Sequence, residues 1–460
     1  MTLIKSISGI RGTIGGEVGD NLTPIDVVRF ASSYGSWIKK KCKKENPTVV
    51  IGRDARISGH LVSNLVTSSL QSLNINVIDL GLSTTPTVEL AVSFNTADGG
   101  IIITASHNPK QWNALKLLNE KGEFIDGKSG EEILNIAQRD DYLFSEIDCL
   151  GSYQTNDEAM TKHIQSVLDL SLVDVNAIKN KKIKVVVDAV NSTGGIIIPQ
   201  LLNSLGVECV ELYCEPNGHF PHNPEPLAEH LKDISNKVVE AKADFGIVVD
   251  PDVDRLAIVN EDGSMFGEEY TLVAVADYVL SQNKGNTVSN LSSSRALKDI
   301  TEKHGGHYFA SAVGEVNVVT TMKEKNAIIG GEGNGGIIYP KSHYGRDSIV
   351  GIALFLTHYA KQSLTCSELR KSYPSYFMSK NKIELNPTIN VDTILQEIQS
   401  VYSDFQINTI DGVKIDFENE WVHLRKSNTE PIIRIYTEST SQQDADDLAE
   451  KIITEIKNII

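Results

Sequence analysis

Three absences narrow this chain before any motif is found: cysteines are few, apolar runs are short, and basic side chains are outnumbered. The five cysteines (Cys42, Cys149, Cys209, Cys214, Cys366) are scattered, odd in number and without ligand spacing, which excludes a disulfide framework and a zinc site and fits free thiols in a reducing cytoplasm. No run approaches the roughly 20 apolar residues that span a bilayer. The N-terminus also lacks a basic start followed by a long apolar segment, so the expectation is a cytoplasmic protein with no membrane partner. Lys and Arg number 43 against 60 Asp and Glu, a net charge of −17, which disfavours nucleic acid as a partner. Any anionic substrate must therefore be held by specific arginines. Low-complexity segments are absent as well.

What is present is a repeated unit. At 460 residues the chain exceeds one core, and three or four domains are expected. A strand, polar loop, helix and second strand recur at Val49–Gly81, at Val185–Val210 and at Thr287–Ala310. Short apolar strands alternating with helices imply mainly parallel sheets, and glycines after the helices fit their left-handed ends. The last 90 or so residues differ: 409–415, 421–424 and 432–436 read as strands in quick succession before a helix from about 444 to 459. The predicted fold is α/β, with three related α/β domains of mixed, mainly parallel sheets plus a C-terminal α+β domain around a central cleft. Expected limits are 1–150, 151–255, 256–369 and 370–460.

Asp250, Asp252 and Asp254 follow the apolar run 245–249 and are closed by Arg255. Extended backbone alternates with period two, so these carboxylates point the same way at a strand end and repel one another unless a cation sits among them. Oxygen-only ligands with open positions suit Mg²⁺ held for work on a phosphate. An EF-hand would need Gly where Arg255 stands and helices where the flanks read as strands. The remaining alternative is a solvated acidic turn.

Ile101-Ile102-Ile103 delivers Thr104-Ala105-Ser106-His107-Asn108-Pro109 at a strand end, where α/β proteins place reactive groups. Beside a metal site and Lys116, the Ser106 hydroxyl fits a phosphoryl carrier better than a turn residue. In Arg425-Lys426-Ser427-Asn428-Thr429-Glu430-Pro431, with Arg434 beyond it, two guanidiniums, hydroxyls and loop amides suit a phosphate dianion. The Gly-rich 330–336 has neither P-loop nor Rossmann spacing; its Glu332 and Asn334 suit sugar hydroxyls.

Taken together, these segments resemble the α-D-phosphohexomutase family of phosphoglucomutases, phosphomannomutases and phosphoglucosamine mutases, along the whole chain. TASHNP at 104–109 looks like its phosphoserine loop, DPDVDR at 250–255 its metal loop, GEGNGG at 331–336 its sugar loop and RKSNTEP at 425–431 its phosphate loop. Residues 8–12 and 52–59 are similar to its N-terminal motifs. The resemblance implies that Ser106 is phosphorylated and that Mg²⁺ is bound by Asp250, Asp252, Asp254 and a phosphoserine oxygen. It implies Lys116 as general acid or base, with Arg11 and His107 near the transferred phosphate and Arg255 as a substrate contact. Arg425, Ser427, Asn428, Thr429 and Arg434 would hold the other phosphate, and a sugar 1,6-bisphosphate would be intermediate and activator. The partner is then a small sugar phosphate, and the protein a monomer or homodimer.

Two departures from the family pattern matter. Many bacterial members carry Glu-x-Ser-Gly-His in the sugar loop; here the order is Glu332, Asn334, Gly336, which removes a proton-handling histidine and leaves His343 as a candidate substitute. Asn428 also stands where Gly is common. The Glu-x-Asn-Gly-Gly form, with Pro-His-Asn-Pro-Glu-Pro at 221–226, resembles the archaeal-type phosphoglucosamine mutase branch and favours glucosamine phosphate over glucose or mannose phosphate. A metal-dependent sugar phosphatase and a silent sugar-phosphate binder are the other classes. The distal phosphate clamp argues against the first, and the joint presence of Ser106, Lys116 and three aspartates against the second. Reorientation of a bisphosphate calls for a hinge near 370.

Overall fold

The computed structural model describes residues 2–6, 9–386, 390–426 and 432–459. Each repeat begins with a strand whose apolar residues are buried on both faces, as parallel strands between helical layers require. In the first, Thr48–Arg53 leads to the helix Gly59–Gln71 and the parallel strand Asn76–Leu82. In the second, Lys184–Asp188, Gly194–Leu205 and Glu208–Leu212 do the same, and in the third Asn286–Asn290, Ala296–Lys303 and Tyr308–Ser311. Gly206 and Gly305 are left-handed just beyond the second and third helices, but the first has no glycine there and Asn74 takes that conformation at φ 60°.

Each sheet then adds a third parallel strand that turns back as an antiparallel hairpin. These hairpins are Gly99–Ile103 with Trp112–Leu118, Phe245–Val249 with Leu256–Asn260, and Ala327–Glu332 with Gly336–Ile338. The order of the four strands is the same in all three sheets: returning strand, third parallel strand, first strand, second strand. The first sheet carries three more strands, Ile4–Ser6, Gly9–Thr13 and Tyr153–Thr155. Two strands thus cross the expected limits: Tyr153–Thr155 pairs with Asn76–Leu82, extending the first sheet past 150, and the hairpin partner Leu256–Asn260 keeps the second sheet together past 255.

The second and third units share one apolar core, in which Phe245 meets Phe355 at 5.3 Å and Tyr359 at 5.2 Å, edge to face. The first unit and the last have cores of their own. The last unit is a five-stranded, wholly antiparallel sheet in the order Phe377–Glu384, Ile432–Ser439, Trp421–Lys426, Val413–Asp416, Gln406–Asn408. The expected strand at 409–415 is corrected here: residues 409–412 form a hairpin loop with Gly412 at φ 76°, an Asp-Gly turn. The helix Gln442–Ile459 agrees with the expectation. Among the described residues no helix is long and apolar enough to cross a membrane.

Candidate active site

The loop after Gly99–Ile103 is shaped by a buried arginine. Arg56, in the motif at 52–59, donates Nε to Asp54 at 3.0 Å and its terminal nitrogens to the carbonyls of Ser106, Asn108, Pro109 and Trp112. Thr104 Oγ1 donates to Asp54 at 2.7 Å and accepts from the Ser106 N–H at 2.9 Å. This frame holds Ser106 at φ 48°, a left-handed conformation uncommon for a residue with a Cβ. The Ser106 hydroxyl donates to Asp250 Oδ2 at 2.7 Å, and His107 Nδ1 lies 3.4 Å from it. Arg11, on the strand Gly9–Thr13, donates to Asn108 Oδ1 at 3.0 Å.

The aspartates converge, though not by extended alternation. The backbone turns after Asp250, and Val253 is left-handed at φ 64°, a strained state for a β-branched residue. Asp250 Oδ1 closes the turn by accepting from the N–H groups of Asp254 and Arg255, both at 3.1 Å. Two helix N-termini abut it: the Thr85 N–H donates to the Asp252 carbonyl at 2.9 Å, and the Ser348 N–H to the Val253 carbonyl at 3.2 Å. Both supply positive potential to an acidic loop. Thr85 Oγ1 also donates to Asp252 Oδ2.

All three carboxylates are buried, with one oxygen from each within 4.8 Å of the others. Lys116, on Trp112–Leu118, donates to Asp252 Oδ2 at 2.6 Å and Asp254 Oδ2 at 3.2 Å. Asp252 Oδ1 and Asp254 Oδ1 are buried without a hydrogen-bond partner among the described residues. Such orphaned carboxylate oxygens are costly unless a cation takes them, so the cluster fits a hard divalent ion.

Charge settles unequally here. Burial, then the Asp254 and Asp252 charges, push Asp250 well above the usual carboxylate range. Burial works the same way on Asp254, but Arg346, Lys116 and Arg255 overcome it and hold Asp254 low. Burial would deprotonate Lys116, yet Asp252 and Asp254 raise it, so it is a cation. His107 is pushed down to about 2 by burial, then by Arg255 against the pull of Asp254, so it is neutral. Arg255 donates to Glu225 Oε1 at 3.2 Å, and its Nε has no partner among the described residues.

The glycine-rich loop joins this cluster through Arg346, which the sequence reading passed over. Glu332 accepts from Asn290 at 2.8 Å, from the Gly314 N–H at 3.1 Å and from Arg346 at 3.0 Å. Asn334 Oδ1 accepts from the Gly336 N–H at 3.2 Å, and the Gly335 carbonyl accepts from the Leu256 N–H at 3.0 Å. His343, the candidate substitute for the absent histidine, is held between two acids. Its Nδ1 lies 3.3 Å from Glu89 and its Nε2 3.2 Å from Asp347, and although burial opposes it these acids push its pKa up to about 10. Asp347 also caps the helix Ser348–Ala360 and pairs with His163, which bonds Thr87. That N-cap, one residue after Arg346, was the signal that could have marked the arginine.

In the last unit Arg425 and Arg434 lie opposite one another across two strands, and Lys382 lies opposite Arg434 on its other side. A row of like charges destabilises a sheet unless an anion bridges it. Arg425 donates to Asp411, which also accepts from the Val313 N–H, so Arg425 is tied to the third unit. No hydrogen bond among the described residues joins Arg425 or Arg434 to the Ser106 cluster. Ser427, Asn428 and Thr429 lie outside the described residues.

Comparison with known proteins covers the same four units. Residues 3–143, 161–263 and 267–376 match "Phosphoglucomutase/phosphomannomutase, alpha/beta/alpha" domains I, II and III, and residues 384–455 match the C-terminal domain. A phosphoglucomutase/phosphomannomutase of Thermococcus kodakarensis is 35% identical over 440 residues, covering 94% of this chain and 95% of that one. A probable phosphoglucosamine mutase of Methanopyrus kandleri is 31% identical over 461 residues, covering 98% and 97%. The crystal structure of a phosphoglucomutase/phosphomannomutase family protein from Burkholderia thailandensis superposes with TM-score 0.85 at 24% identity, over 99% of this chain and 98% of that one.

Proposed function

The chain belongs to the phosphoglucomutase/phosphomannomutase family and is a phosphohexomutase, and on that premise we propose that it interconverts glucosamine 6-phosphate and glucosamine 1-phosphate through a phosphoserine and a 1,6-bisphosphate. The observation that carries the reading is the Ser106 hydroxyl 2.7 Å from Asp250, inside a buried aspartate cluster that also holds Lys116.

In this reading phosphorylated Ser106 gives its phosphoryl group to the free hydroxyl of the sugar phosphate and takes back the other phosphate after the bisphosphate turns. Lys116, kept charged by two aspartates, gives its proton to the departing Ser106 oxygen and is reprotonated by the attacking sugar hydroxyl, so the transfer is proton-neutral. Arg11 and Arg255 meet the phosphoryl oxygens, with neutral His107 beside Ser106. Mg²⁺ bound by Asp250, Asp252, Asp254 and a phosphoserine oxygen would neutralise charge on that group. Glu332 and Asn334 take sugar hydroxyls, and Arg425, Ser427, Asn428, Thr429 and Arg434 hold the idle phosphate. A sugar 1,6-bisphosphate would load Ser106 at the outset.

The Glu-x-Asn-Gly-Gly loop and the Methanopyrus kandleri relative support the amino sugar. The Thermococcus kodakarensis relative supports glucose or mannose phosphate as the second reading. Coupled assays with all three sugar 1-phosphates decide between them. The highest kcat/KM is expected for glucosamine 1-phosphate, and a clear preference for glucose 1-phosphate reverses the order. Ser106→Ala is expected to lose turnover and the phosphate adduct seen by intact-mass spectrometry after incubation with a sugar bisphosphate. Retention of both in that variant refutes the carrier role.

A further inference from the structure

Arg346 links the aspartate loop to the glycine-rich loop. Its buried guanidinium donates to Asp254 Oδ2 at 2.7 Å, to Glu315 Oε2 at 2.9 Å and to Glu332 Oε2 at 3.0 Å. Lys116 reaches the same Asp254 oxygen at 3.2 Å. Both cations therefore sit on Oδ2, and Oδ1 is the buried oxygen left without a partner among the described residues. Pinning one carboxylate oxygen by two charge-assisted bonds fixes the rotamer and decides which oxygen faces the cluster.

The glycine at 336 has its explanation in the same side chain. A Cβ built there would lie 2.4 Å from Arg346 Cδ and 3.1 Å from both Arg346 Cγ and Asn334 Oδ1, all of them side-chain atoms. Gly336 is not among the residues with positive φ, so the backbone does not demand glycine. A free arginine stem would swing away from an added methyl, but this one is held at its far end by three carboxylates. Position 336, in the glycine-rich loop, is thus closed to a side chain by Arg346.

We infer that Arg346 is a positioning residue that occupies the volume a side chain at 336 would fill, turns Asp254 Oδ1 toward the divalent ion, and ties Glu332 of the glycine-rich loop to the aspartate loop. It acts in this way only if the aspartate loop binds a divalent ion, as proposed above.

The test uses the full chain with Mn²⁺ as probe, free ion being followed by electron paramagnetic resonance. Loss of a nearby positive charge would by Coulomb attraction alone tighten cation binding; loss of a positioning contact weakens it, typically by about 10- to 100-fold. Arg346→Ala is expected to weaken Mn²⁺ binding within that range, with Arg346→Lys recovering only part, because an ammonium cannot serve three carboxylates in a plane. Unchanged or tighter binding overturns the inference. In the second arm, Gly336→Ala is expected to lower the urea midpoint in the natural background and leave it unaltered in the Arg346→Ala background. An equal loss in both overturns the packing claim. Should Arg346→Ala not fold, Arg346→Lys carries the metal arm under the same criteria. Neither readout needs turnover, so a chain that binds Mn²⁺ as expected but converts no sugar phosphate refutes the proposed function and leaves this inference standing.

Discussion

At the scale of single residues, Glu438 shows how a buried acid ties stability to pH. It accepts from the Trp421 indole at 2.7 Å and from the Arg295 N–H at 3.0 Å, while its second oxygen has no partner among the described residues. Burial raises its pKa above the ordinary value, against its hydrogen bonds to Ser294, Arg295 and Trp421. The folded chain therefore keeps a proton that the unfolded chain has already released. Its contribution is present below the unfolded glutamate value of about 4.3 and is lost as pH rises toward the elevated one. Glu438→Gln is expected to flatten the fall in urea midpoint as pH rises above about 4.3; an identical pH dependence in the variant would refute this. Arg56 shows why some residues escaped the sequence. The aspartates announce themselves by spacing and Ser106 by its loop, but the acceptors of Arg56 are mostly backbone carbonyls, which every sequence carries. Arg346 escaped because its acids at 254, 315 and 332 are neighbours only in the fold.

Among the secondary-structure elements, the informative comparison is between the three hairpins. The Ser106 loop, the aspartate loop and the glycine-rich loop each follow the third parallel strand of a sheet and precede its antiparallel partner. The three loops to which the proposed function gives the nucleophile, the metal and the sugar therefore occupy one topological position in three copies. The aspartate loop owes its place to the strand beneath it, which Phe245 anchors against Phe355 and Tyr359. Phe245→Ala is expected to cost roughly 3–5 kcal/mol of stability by urea unfolding; a loss below about 1 kcal/mol would mean the strand is held otherwise. The repeats were legible because apolar strands and periodic helices are local patterns. The edge strand Phe377–Glu384 was not, since only Ser379 and Ile383 in it are buried. The aspartates were placed rightly for a partly wrong reason, the turn at Val253 doing what extended alternation was expected to do.

Across the whole molecule, the joints differ in kind. The second and third units meet through continuous apolar packing, whereas the last unit, with a core of its own, meets the third through polar bonds that include Ser292 with His423, Arg295 with Glu438 and Val313 with Asp411. Polar junctions between separate cores open at lower free energy than shared cores do. Native-state hydrogen exchange is expected to release amides of 377–384 and 413–426 before those of 245–249 and 348–360; the reverse order would refute this ranking. The aspartate loop and the glycine-rich loop stand on one shared core, so under the proposed function a sugar bisphosphate would turn over while these two loops keep their separation. That pair acts as a fixed gauge. On the proposed function, ring substituents would be measured against it, and the freedom to accept either end of the substrate would belong to the polar joint that carries Arg425 and Arg434.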